Sequence, residues 1–476
     1  MKLFFLGWSG KDLGMIAVPL ELKKQGHEIL YWSGINLDKE VDAKLFPGTI
    51  FHDHFEARSG IPPKEFANAN FLPPGEDLLK QLQETESIVL TMMNKHFEGW
   101  PVSKRKQLYY TQVQYWHGVL QKFKPDMVLY TNVPHTVYDY VAYSIAKLLK
   151  IKILMLDPSW VSDRLTLIED YKNGCEAISE ALEKNSNHHF QLSELDQDLQ
   201  EYYCLQIEKL LDTTPIFVRH AKSQYSGYKL FIFKFKIILK SIKDYTIFKK
   251  ITSFLKKKFG RNIIKEYRRV QQEPDFSKNF VYLPLHYQPE RTTSPQGGIF
   301  VDQILMAEVL ASALPDDWLI YVKEHPLQWT LHGSNFTDYR YPGYYQALAS
   351  IKKVRVVPAE TNTYQLTNAA RAVATIAGTA GLEAVFRQKP VLVFGYFWYQ
   401  DFPGMFKVRD LASCKKALEE IKSGFRVSHQ QVIDYLGVFD KVSFHGYMDV
   451  DGTKVSKLTP QENTFNIFNA LIKEIK

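Results

Sequence analysis

Two short segments in the second half of the chain carry residue types suited to binding a phosphate. The first is Lys323-Glu324-His325-Pro326, which follows an apolar run typical of a buried strand. Proline restricts the backbone of the residue before it, and an imidazole can hydrogen-bond a phosphate oxygen or protonate a leaving group. We therefore predict that His325 is catalytic and that Lys323 and Pro326 bind the same phosphate. The alternative is that His325 only bonds local backbone.

The second segment is Gly378-Thr379-Ala380-Gly381, with Glu383 further along a predicted helix. Glycines allow backbone N–H groups to approach a ligand closely, and a helix N-terminus carries about +0.5 charge. These residues predict a turn that binds the donor phosphate. The alternatives are that Thr379 caps the helix and that Glu383 is the acid of a capping box.

Polar residues also follow the first apolar run of this half, in Leu283–Arg291. Gln288 and Gln303 suit contacts with a base or a ribose hydroxyl, and Glu290 suits a sugar hydroxyl. The alternative is a surface loop without a ligand.

In the first half, Asp12 lies beside a glycine-rich turn and could act as general base on an acceptor hydroxyl. Capping of the following helix by Asp12 explains the same residue. Further polar residues after predicted strands are candidates for binding the acceptor: Gly10, Asn132, His135, Ser159 and Arg164.

No metal site is predicted. His52, Asp53, His54 and Glu56 have suitable ligand types. Alternate residues on an extended loop rarely complete a four-ligand shell by themselves, however.

The elements that must position these residues form two alternating series of strands and helices. The first begins with a strand at Lys2–Leu6 and the second with a strand at Phe280–Leu285. Such series predict parallel α/β sheets, in which ligands bind at the carboxyl ends of the strands. We expect an α/β protein with two Rossmann-like domains facing a central cleft, because the polar segments all follow predicted strands.

The chain of 476 residues, with 45% hydrophobic and 23% charged residues, is long enough for two such domains. The predicted organisation has four parts: an acceptor domain at 1–220, a basic helical insert at 221–277, a nucleotide-sugar domain at 278–455, and a C-terminal helix at 456–476 that packs back on the first domain.

The basic insert is the most unusual stretch of the sequence. Lys229–Arg269 holds fourteen lysines and arginines but two acids, against a net charge of +7 for the whole chain. Lysines alternate with Phe, Ile and Leu, which is typical of a helix lying on an anionic membrane. Packing of the apolar face on the protein itself is the alternative. Nucleic acid is not expected, because no recognition motif accompanies the charge.

The expected location is the cytoplasmic face of the plasma membrane. The N-terminal apolar run is too short for a signal peptide, and no apolar run is long enough to cross a bilayer. Three widely spaced cysteines fit a reducing compartment.

Several of these segments resemble a known group of proteins. LHYQPERTTSPQGGIFVDQ, YVKEHP and TIAGTAGLEAVFRQKPVLVFGYFWY, all within residues 278–410, resemble bacterial glycosyltransferases of capsule and surface-polysaccharide biosynthesis, as do TNVPH, DYVAYSIAK and DPSW more weakly in the first half. These are GT-B proteins related to Kdo transferases and bacterial sialyltransferases. The resemblance implies that His325 and Pro326 form a His-Pro motif contacting the donor phosphate, and that Thr379 and its flanking glycines form a second phosphate-binding turn.

The resulting expectation is a glycosyltransferase that moves a sugar from a nucleotide-activated donor, with a CMP-sugar such as CMP-Kdo favoured. Its acceptor would be a lipid-linked or growing glycan, and no tightly bound cofactor is expected. Two alternatives stay open: a nucleotide-sugar epimerase of similar fold, and a non-catalytic protein that binds or assembles polysaccharide.

Overall fold

The computed structural model describes residues 1–207, 263–329 and 339–475. These residues form two sheets flanked by helices. In chain order the strands are β1 (Lys2–Leu6), β2 (Glu28–Gly34), β3 (Ile50–Asp53), β4 (Met127–Tyr130), β5 (Lys152–Pro158), β6 (Arg164–Ile168), β7 (Asn279–Pro284), β8 (Trp318–Lys323), β9 (Val354–Val356), β10 (Ala372–Thr375), β11 (Val391–Val393), β12 (Met405–Lys407) and β13 (Phe444–His445).

The helices of the first half surround the N-terminal sheet. They are Ala17–Lys24, Leu37–Glu40, His54–Ser59, Glu76–Gln81, Gln83–Met92, Val102–Phe123, Tyr138–Leu148, Glu176–Lys184 and Gln197–Ile207. Those of the second half are Ile263–Val270, Gln303–Ala313, Tyr344–Ser350, Thr363–Ala369, Thr379–Phe386, Leu411–Lys422, His429–Val442 and Pro460–Glu474. None of these helices is both long and apolar enough to span a membrane.

Both sheets have the strand order of a doubly wound fold. The first runs β3-β2-β1-β4-β5 and the second β9-β8-β7-β10-β11-β12, all parallel. In each sheet the order reverses beside the first strand, between β1 and β4 or between β7 and β10. Crevices at such reversals, outside the carboxyl ends of the strands, are where open α/β sheets bind ligands. The predicted pair of Rossmann-like domains in a GT-B arrangement is thereby confirmed.

The strands are apolar runs because both faces of a parallel sheet are covered. In β1, Leu3 to Leu6 are buried, and in β10 all four residues are. Because a slip of one residue would move every side chain of a strand to the other face, burial fixes the register of the strands. The register in turn fixes the positions of the loops that follow each strand.

Two antiparallel strands extend the N-terminal sheet beyond the predicted parallel part. β6 returns along β5, and β13 pairs with β6 through Phe444↔Leu165 and His445↔Arg164. The chain therefore crosses to the first sheet before residue 456, where the predicted C-terminal segment begins.

The C-terminal helix packs on the first helix of the chain. Ile467 and Leu471 are buried in the same apolar cluster as Val18 and Leu22. The amide of Asn463 donates to the Leu13 carbonyl at 2.8 Å.

Residues 208–262, which include most of the basic insert predicted at 221–277, lie outside the described residues. The described end of the insert belongs to the helix Ile263–Val270, which packs on the second half: Tyr267 is buried, its ring lies 4.8 Å from that of Trp329, and its hydroxyl accepts the Glu324 N–H at 3.2 Å.

The contact between the first and last helices gives a testable prediction. Gly14 has φ +77°, and a Cβ there would lie 2.1 Å from the Pro460 carbonyl oxygen. Gly14→Ala should therefore lower the free energy of unfolding by roughly 1–2 kcal/mol for the left-handed backbone and by about 1–3 kcal/mol more for the clash. Urea denaturation and limited proteolysis of the C-terminal helix measure the two effects.

Gly26→Ala is the matched control. Gly26 has φ +87°, with no described atom within 4 Å of an added Cβ. It should show the backbone cost alone, without faster proteolysis of the C-terminal helix. Equal losses in the two variants would contradict the packing described.

Candidate active site between the two sheets

The register of the second sheet brings two histidines to one place. β7 pairs with β8 up to Pro284↔Lys323, so His286 and His325 each stand two residues beyond the end of a paired strand. β10 lies on the other side of β7 and leads into Gly378. His286 therefore lies at the reversal point of the sheet, with the two predicted phosphate-binding segments on either side of it.

His286 contacts the glycine turn directly. Its Nε2 accepts the Ile376 N–H at 3.0 Å and lies 3.0 Å from the Thr375 hydroxyl, so the proton of the neutral ring is on Nδ1. A Cβ on Gly378 would lie 2.6 Å from His286 Cε1. The turn needs glycine here because the imidazole packs against its backbone, and Nδ1–H lies beside the helix N-terminus.

His325 presents the opposite ring nitrogen. Its Nδ1 accepts the Leu327 N–H at 3.2 Å, which leaves the proton of the neutral ring on Nε2. Burial lowers the pKa of His325 to about 4, with Glu324 opposing and Arg340 adding to this effect. Burial likewise lowers the pKa of His286 to about 3, with help from the charges of His325 and Arg340. Both rings are therefore neutral N–H donors at neutral pH.

The helix Thr379–Phe386 begins without a side-chain cap. Gly378 is the N-cap residue and makes no side-chain hydrogen bond, and Thr379 is the first helical residue. Gly381 N–H donates to the Gly378 carbonyl at 3.0 Å. The capping box considered for Glu383 is not formed, because the third helical position is Gly381. The N–H groups of Thr379 and Ala380 lie where an anion is favoured.

A buried ion pair holds the loops that carry the two imidazoles. Arg340 donates to both carboxylate oxygens of Glu324, at 2.6 and 3.1 Å, and to the His286 carbonyl at 3.1 Å. Both side chains are about 1% exposed or less. Charge-assisted bidentate pairs of this kind fix geometry as well as energy.

Gln288 and Gln303, predicted to contact the donor, belong to this same scaffold. Gln288 Oε1 accepts from Gln303 and from Arg340, each at 2.7 Å, and Gln303 Oε1 accepts the His286 N–H at 2.7 Å. Their side chains are buried and engaged with protein groups, so the structure places them behind the site, where they position His286.

Lys323 is likewise turned away from the predicted phosphate. Its ammonium is buried and donates to the Thr361 carbonyl and the Thr363 hydroxyl, both at 2.7 Å. These hydrogen bonds hold the end of β8 to the loop before the helix Thr363–Ala369. Pro326 is exposed immediately beyond His325.

The carboxyl edges of the two sheets meet through Arg291. Its guanidinium donates to Asp157 Oδ1 at 2.8 Å and to Asn132 Oδ1. Asn132 follows β4, Asp157 is near the end of β5, and Arg291 lies in the segment after β7. The polar edge of each sheet therefore faces that of the other.

Asp157 is a carboxylate that the sequence analysis did not select. It is fully buried, and its Oδ2 makes no hydrogen bond to any described residue. Burial raises the pKa of Asp157, and the charge of Arg291 opposes that rise. A buried carboxyl group with one unsatisfied oxygen at a strand end is a candidate for proton transfer.

Asp12 and Gly10 occupy a different environment from the one predicted. Asp12 is exposed on a 3-10 turn, Lys11–Leu13, which packs against the C-terminal helix. The N–H groups of Gly10 and Lys11 are already taken by Glu40 Oε2, at 2.9 and 3.0 Å. The glycine turn after β1 thus binds the protein's own carboxylate.

Ser159 and Arg164 are also engaged within the protein. The Ser159 hydroxyl donates to the Arg164 carbonyl at 2.7 Å. The Arg164 guanidinium, 1% exposed, pairs with three carboxylates, those of Asp196, Asp198 and Asp440. This cluster joins the first half to the helix His429–Val442, and its charges are paired with one another rather than directed to a ligand.

The same cluster contains the one group of potential metal ligands found among the described residues, Asp196, Asp198 and His445. Arg164 already neutralises both carboxylates, and His445 Nδ1 bonds Asp163 at 2.6 Å. His52, considered for a metal, has both ring nitrogens bonded, to the Tyr31 hydroxyl and to the Ile61 carbonyl.

Two further predicted residues lie at the meeting of the halves. His135 is partly exposed beyond β4, with Nδ1 donating to the Val133 carbonyl at 2.7 Å. Glu290 is 38% exposed, and its carboxylate lies 3.8 Å from Lys95 Nζ of the first half.

A sequence signal for His286 exists in retrospect. His286 and His325 stand at the same offset from the ends of neighbouring strands, which pairs them once β7 and β8 are known to be adjacent. Asp157 had a weaker signal, a carboxylate followed by proline at a predicted strand end.

Residues 291–436 match the family described as "Capsule polysaccharide biosynthesis protein". This range contains His325, Arg340 and the whole glycine turn, and it is under a third of the chain. The resemblance to capsule biosynthesis proteins is confirmed over these residues. A comparison with curated proteins finds no match.

Solved structures similar to this chain include transferases and epimerases. KpsC of Thermosulfurimonas dismutans, a beta Kdo 2,7 transferase, is 12% identical over 74% of this chain and 87% of its own, with a TM-score of 0.31. A glycosyltransferase of Rickettsia africae is 9% identical over 99% and 98%, at 0.29. UDP-GlcNAc 2-epimerase of Methanocaldococcus jannaschii, in complex with UDP-GlcNAc and UDP, is 13% identical over 91% and 98%, at 0.25.

The protonation states of the two imidazoles can be measured. With selective ¹³C labelling of histidine, the His286 and His325 resonances should not titrate between about pH 5.5 and 8, since burial keeps both pKa values near or below 4. His445, whose pKa the Asp163 carboxylate raises, should titrate above the usual histidine range. Single His→Asn variants assign the resonances.

The lowered pKa values of His286 and His325 also make the free energy of unfolding depend on pH. Between about pH 6.5 and 4 the unfolded chain takes up protons on these two rings and the native protein does not, so the free energy of unfolding should fall as the pH falls through that window. Titration of either ring near its ordinary pKa would contradict the burial described.

Proposed function

We propose that this protein transfers a sugar from a nucleotide-activated donor to a surface-polysaccharide acceptor. The observation that carries the proposal is that two neutral imidazole donors and an uncapped helix N-terminus follow three neighbouring strands at the reversal point of one sheet. The buried carboxyl group of Asp157 lies on the facing edge of the other sheet. The family match over residues 291–436 supports the same conclusion.

The proposed donor phosphate is bound by groups that follow three neighbouring strands of the second sheet. Nδ1–H of His286, Nε2–H of His325 and the N–H groups at the start of the helix Thr379–Phe386 donate to its oxygens. As the bond between sugar and phosphate breaks, negative charge builds on the leaving nucleotide. Preorganised donors stabilise that charge with no reorganisation during the reaction. The scaffold around Arg340 supplies the preorganisation.

Asp157, in place of Asp12, is the first-half carboxyl group of this proposal. Burial raises the pKa of Asp157, which makes its carboxylate a stronger base than an exposed one. Oδ2 accepts the proton of the acceptor hydroxyl as that oxygen attacks the sugar, while Arg291 holds Oδ1. The donor would be a CMP-sugar such as CMP-Kdo, by the family resemblance of the His-Pro motif.

Nucleotide binding provides the first test. CMP, UDP, GDP and their sugars are compared by thermal shift, where ligand at 100 times its Kd stabilises by about 2.7 kcal/mol. His286→Ala and His325→Ala should each weaken binding about 10- to 100-fold, since each removes a hydrogen bond to a charged group. Asp157→Asn should keep nucleotide affinity and lose turnover.

His117→Ala, which removes a partly exposed histidine on the helix Val102–Phe123, is the control and should bind as the wild type does. No stabilisation by any nucleotide would contradict the proposal. Conversion of a nucleotide sugar to its epimer without an acceptor would assign the epimerase reaction instead. Ligand binding with full activity in His325→Ala would remove the imidazole from the reaction.

We further propose that the enzyme lies on the inner face of the plasma membrane. The support is the charge of Lys229–Arg269 and its interleaved apolar residues. Flotation with anionic liposomes should show salt-sensitive binding. Replacing Lys256, Lys257 and Lys258 with Gln should weaken it about 100-fold, at roughly 1 kcal/mol per lysine near the surface.

A triple variant at Lys415, Lys416 and Lys422 is the matched control. These lysines are exposed on the helix Leu411–Lys422, and their replacement removes the same charge. The control should float as the wild type does. Equal loss in both variants would show a general charge effect in place of the proposed segment.

A further inference from the structure

A second group of basic side chains lines the first half where it faces the cleft. We call it the basic wall, and it consists of His54, Arg58, Lys95, His96 and His135. Among these five residues, only His135 was predicted from the sequence to bind the acceptor.

Three elements assemble the wall. His54 and Arg58 lie on the helix His54–Ser59, which directly follows β3. Lys95 and His96 lie at the end of the turn Met93–Lys95, and His135 lies beyond β4. Because β3 and β4 end at the same edge of a parallel sheet, these groups share the side of the molecule that meets Glu290 and Arg291.

Direct contacts tie the group together. The Arg58 guanidinium donates to His96 Nε2 at 3.3 Å, and one face of it lies on the Phe55 ring, 5.2 Å from its centroid. His54 Nδ1 lies 3.2 Å from the Tyr138 hydroxyl. His135 is fixed by Asp139, which accepts the N–H groups of His135 and Thr136.

Arg58 and Lys95 are the charged members of the wall, because its three histidines are neutral at neutral pH. Glu290 lies 3.8 Å from Lys95 and offsets its charge, whereas Asp53 caps its own helix and Asp157 binds Arg291. Arg58 has no carboxylate within 4 Å among the described residues, and it is partly buried. Its planar guanidinium therefore has donors that a carboxylate or phosphate could accept.

Burial and the neighbouring positive groups lower the pKa values of the three histidines. Burial and the charge of Arg58 lower the pKa of His54 to about 4, against the opposing charge of Asp53. Burial, Arg58, Lys95 and His54 lower that of His96 to about 4. Burial, Lys95, Arg291 and His54 lower that of His135 to about 3. An anion at the wall would reverse the Coulombic part of all three shifts.

The backbone before helix Tyr138–Leu148 is strained at the same place. Val137, buried and β-branched, has φ +76° and ψ −70°. Such a conformation is unfavourable for a β-branched residue and persists where surrounding contacts impose it. Here it sets the course of the chain between His135 and Tyr138, both of which border the wall.

We propose that the basic wall is an acceptor subsite that binds an anionic group, a phosphate or a sugar carboxylate, through Arg58, Lys95 and the three histidines. This inference rests on the proposed function, since it assigns the substrate class of the same cleft. The acceptor is therefore a negatively charged glycan, and its binding is accompanied by proton uptake.

The test follows individual histidines while probe anions are added. Selectively ¹³C-labelled protein is titrated with inorganic phosphate, with glucuronate and with neutral glucose near pH 6.5. Phosphate or glucuronate should move His54, His96 and His135 toward the protonated form in a saturable way, and glucose should not. The stronger of the two anions identifies the chemical source. Calorimetry in buffers of different ionisation enthalpy should show the proton uptake.

Variants separate this site from the donor site. Arg58→Gln should weaken the response at least about ten-fold, as expected for a charged hydrogen bond, and Arg58→Lys should restore part of it. Lys184→Gln, which removes an exposed positive charge paired with Glu180, should leave it unchanged. His325→Ala should also leave it unchanged while nucleotide binding weakens.

The outcomes distinguish the two proposals. A response confined to His286 and His325, or one equal in Arg58→Gln and the wild type, would overturn the acceptor subsite and leave the donor site standing. A saturable response of the wall in a protein that binds no nucleotide would uphold the anion site and refute the transferase reaction.

Discussion

The buried ion pair between Arg340 and Glu324 holds the loops from which the site is built. Arg340 reaches the His286 carbonyl and Gln288, while Glu324 immediately precedes His325. Removing one partner of such a pair leaves an uncompensated buried charge, which costs several kcal/mol. The two imidazoles therefore depend for their position on a residue that touches no predicted ligand. Tyr345 adds to the pair by donating to Glu324 at 2.5 Å.

Burial gives the site its chemical character. On both sides of the cleft, burial holds histidines in the neutral state, and nearby lysines and arginines favour that state further. A neutral imidazole with one nitrogen bonded to backbone presents its other nitrogen in a known state, either as donor or as acceptor. His286 and His325 become donors at opposite ring positions, and His135 keeps Nε2 as an acceptor. Electrostatics and local hydrogen bonds together select these tautomers.

Arg291 links the two halves and constrains both. It binds Asp157 and Asn132 of the first half and belongs to the segment that carries His286 in the second. The hydroxyls of Thr91 and Ser294 add a second contact at 2.7 Å, and Tyr339 donates to the Thr91 carbonyl. Any separation of the halves must break these hydrogen bonds. The access of a substrate to Asp157 Oδ2 therefore depends on how far apart the two sheets lie.

The α/β class, the two series of strands and the position of the glycine turn could be predicted from the sequence, because they depend on local apolar runs and on helix and turn signals. The position of His325 at a strand end could be predicted in the same way. Which polar residues face the cleft depends instead on how the strands and loops pack in three dimensions. Gln288, Gln303, Lys323, Ser159 and Arg164 have suitable side chains whose polar atoms are bonded within the protein. His286 and Asp157 are also bonded, at Nε2 and Oδ1, but no described residue bonds the other polar atom of either side chain, Nδ1 or Oδ2. Strand β13 was missed because it is two residues long and its partner β6 is far away in the chain. Strand β6 was also missed, although it pairs with the preceding strand β5. A residue's chemistry is local, but the direction of its side chain and its hydrogen-bond partners are set by strand register and by contacts across hundreds of residues.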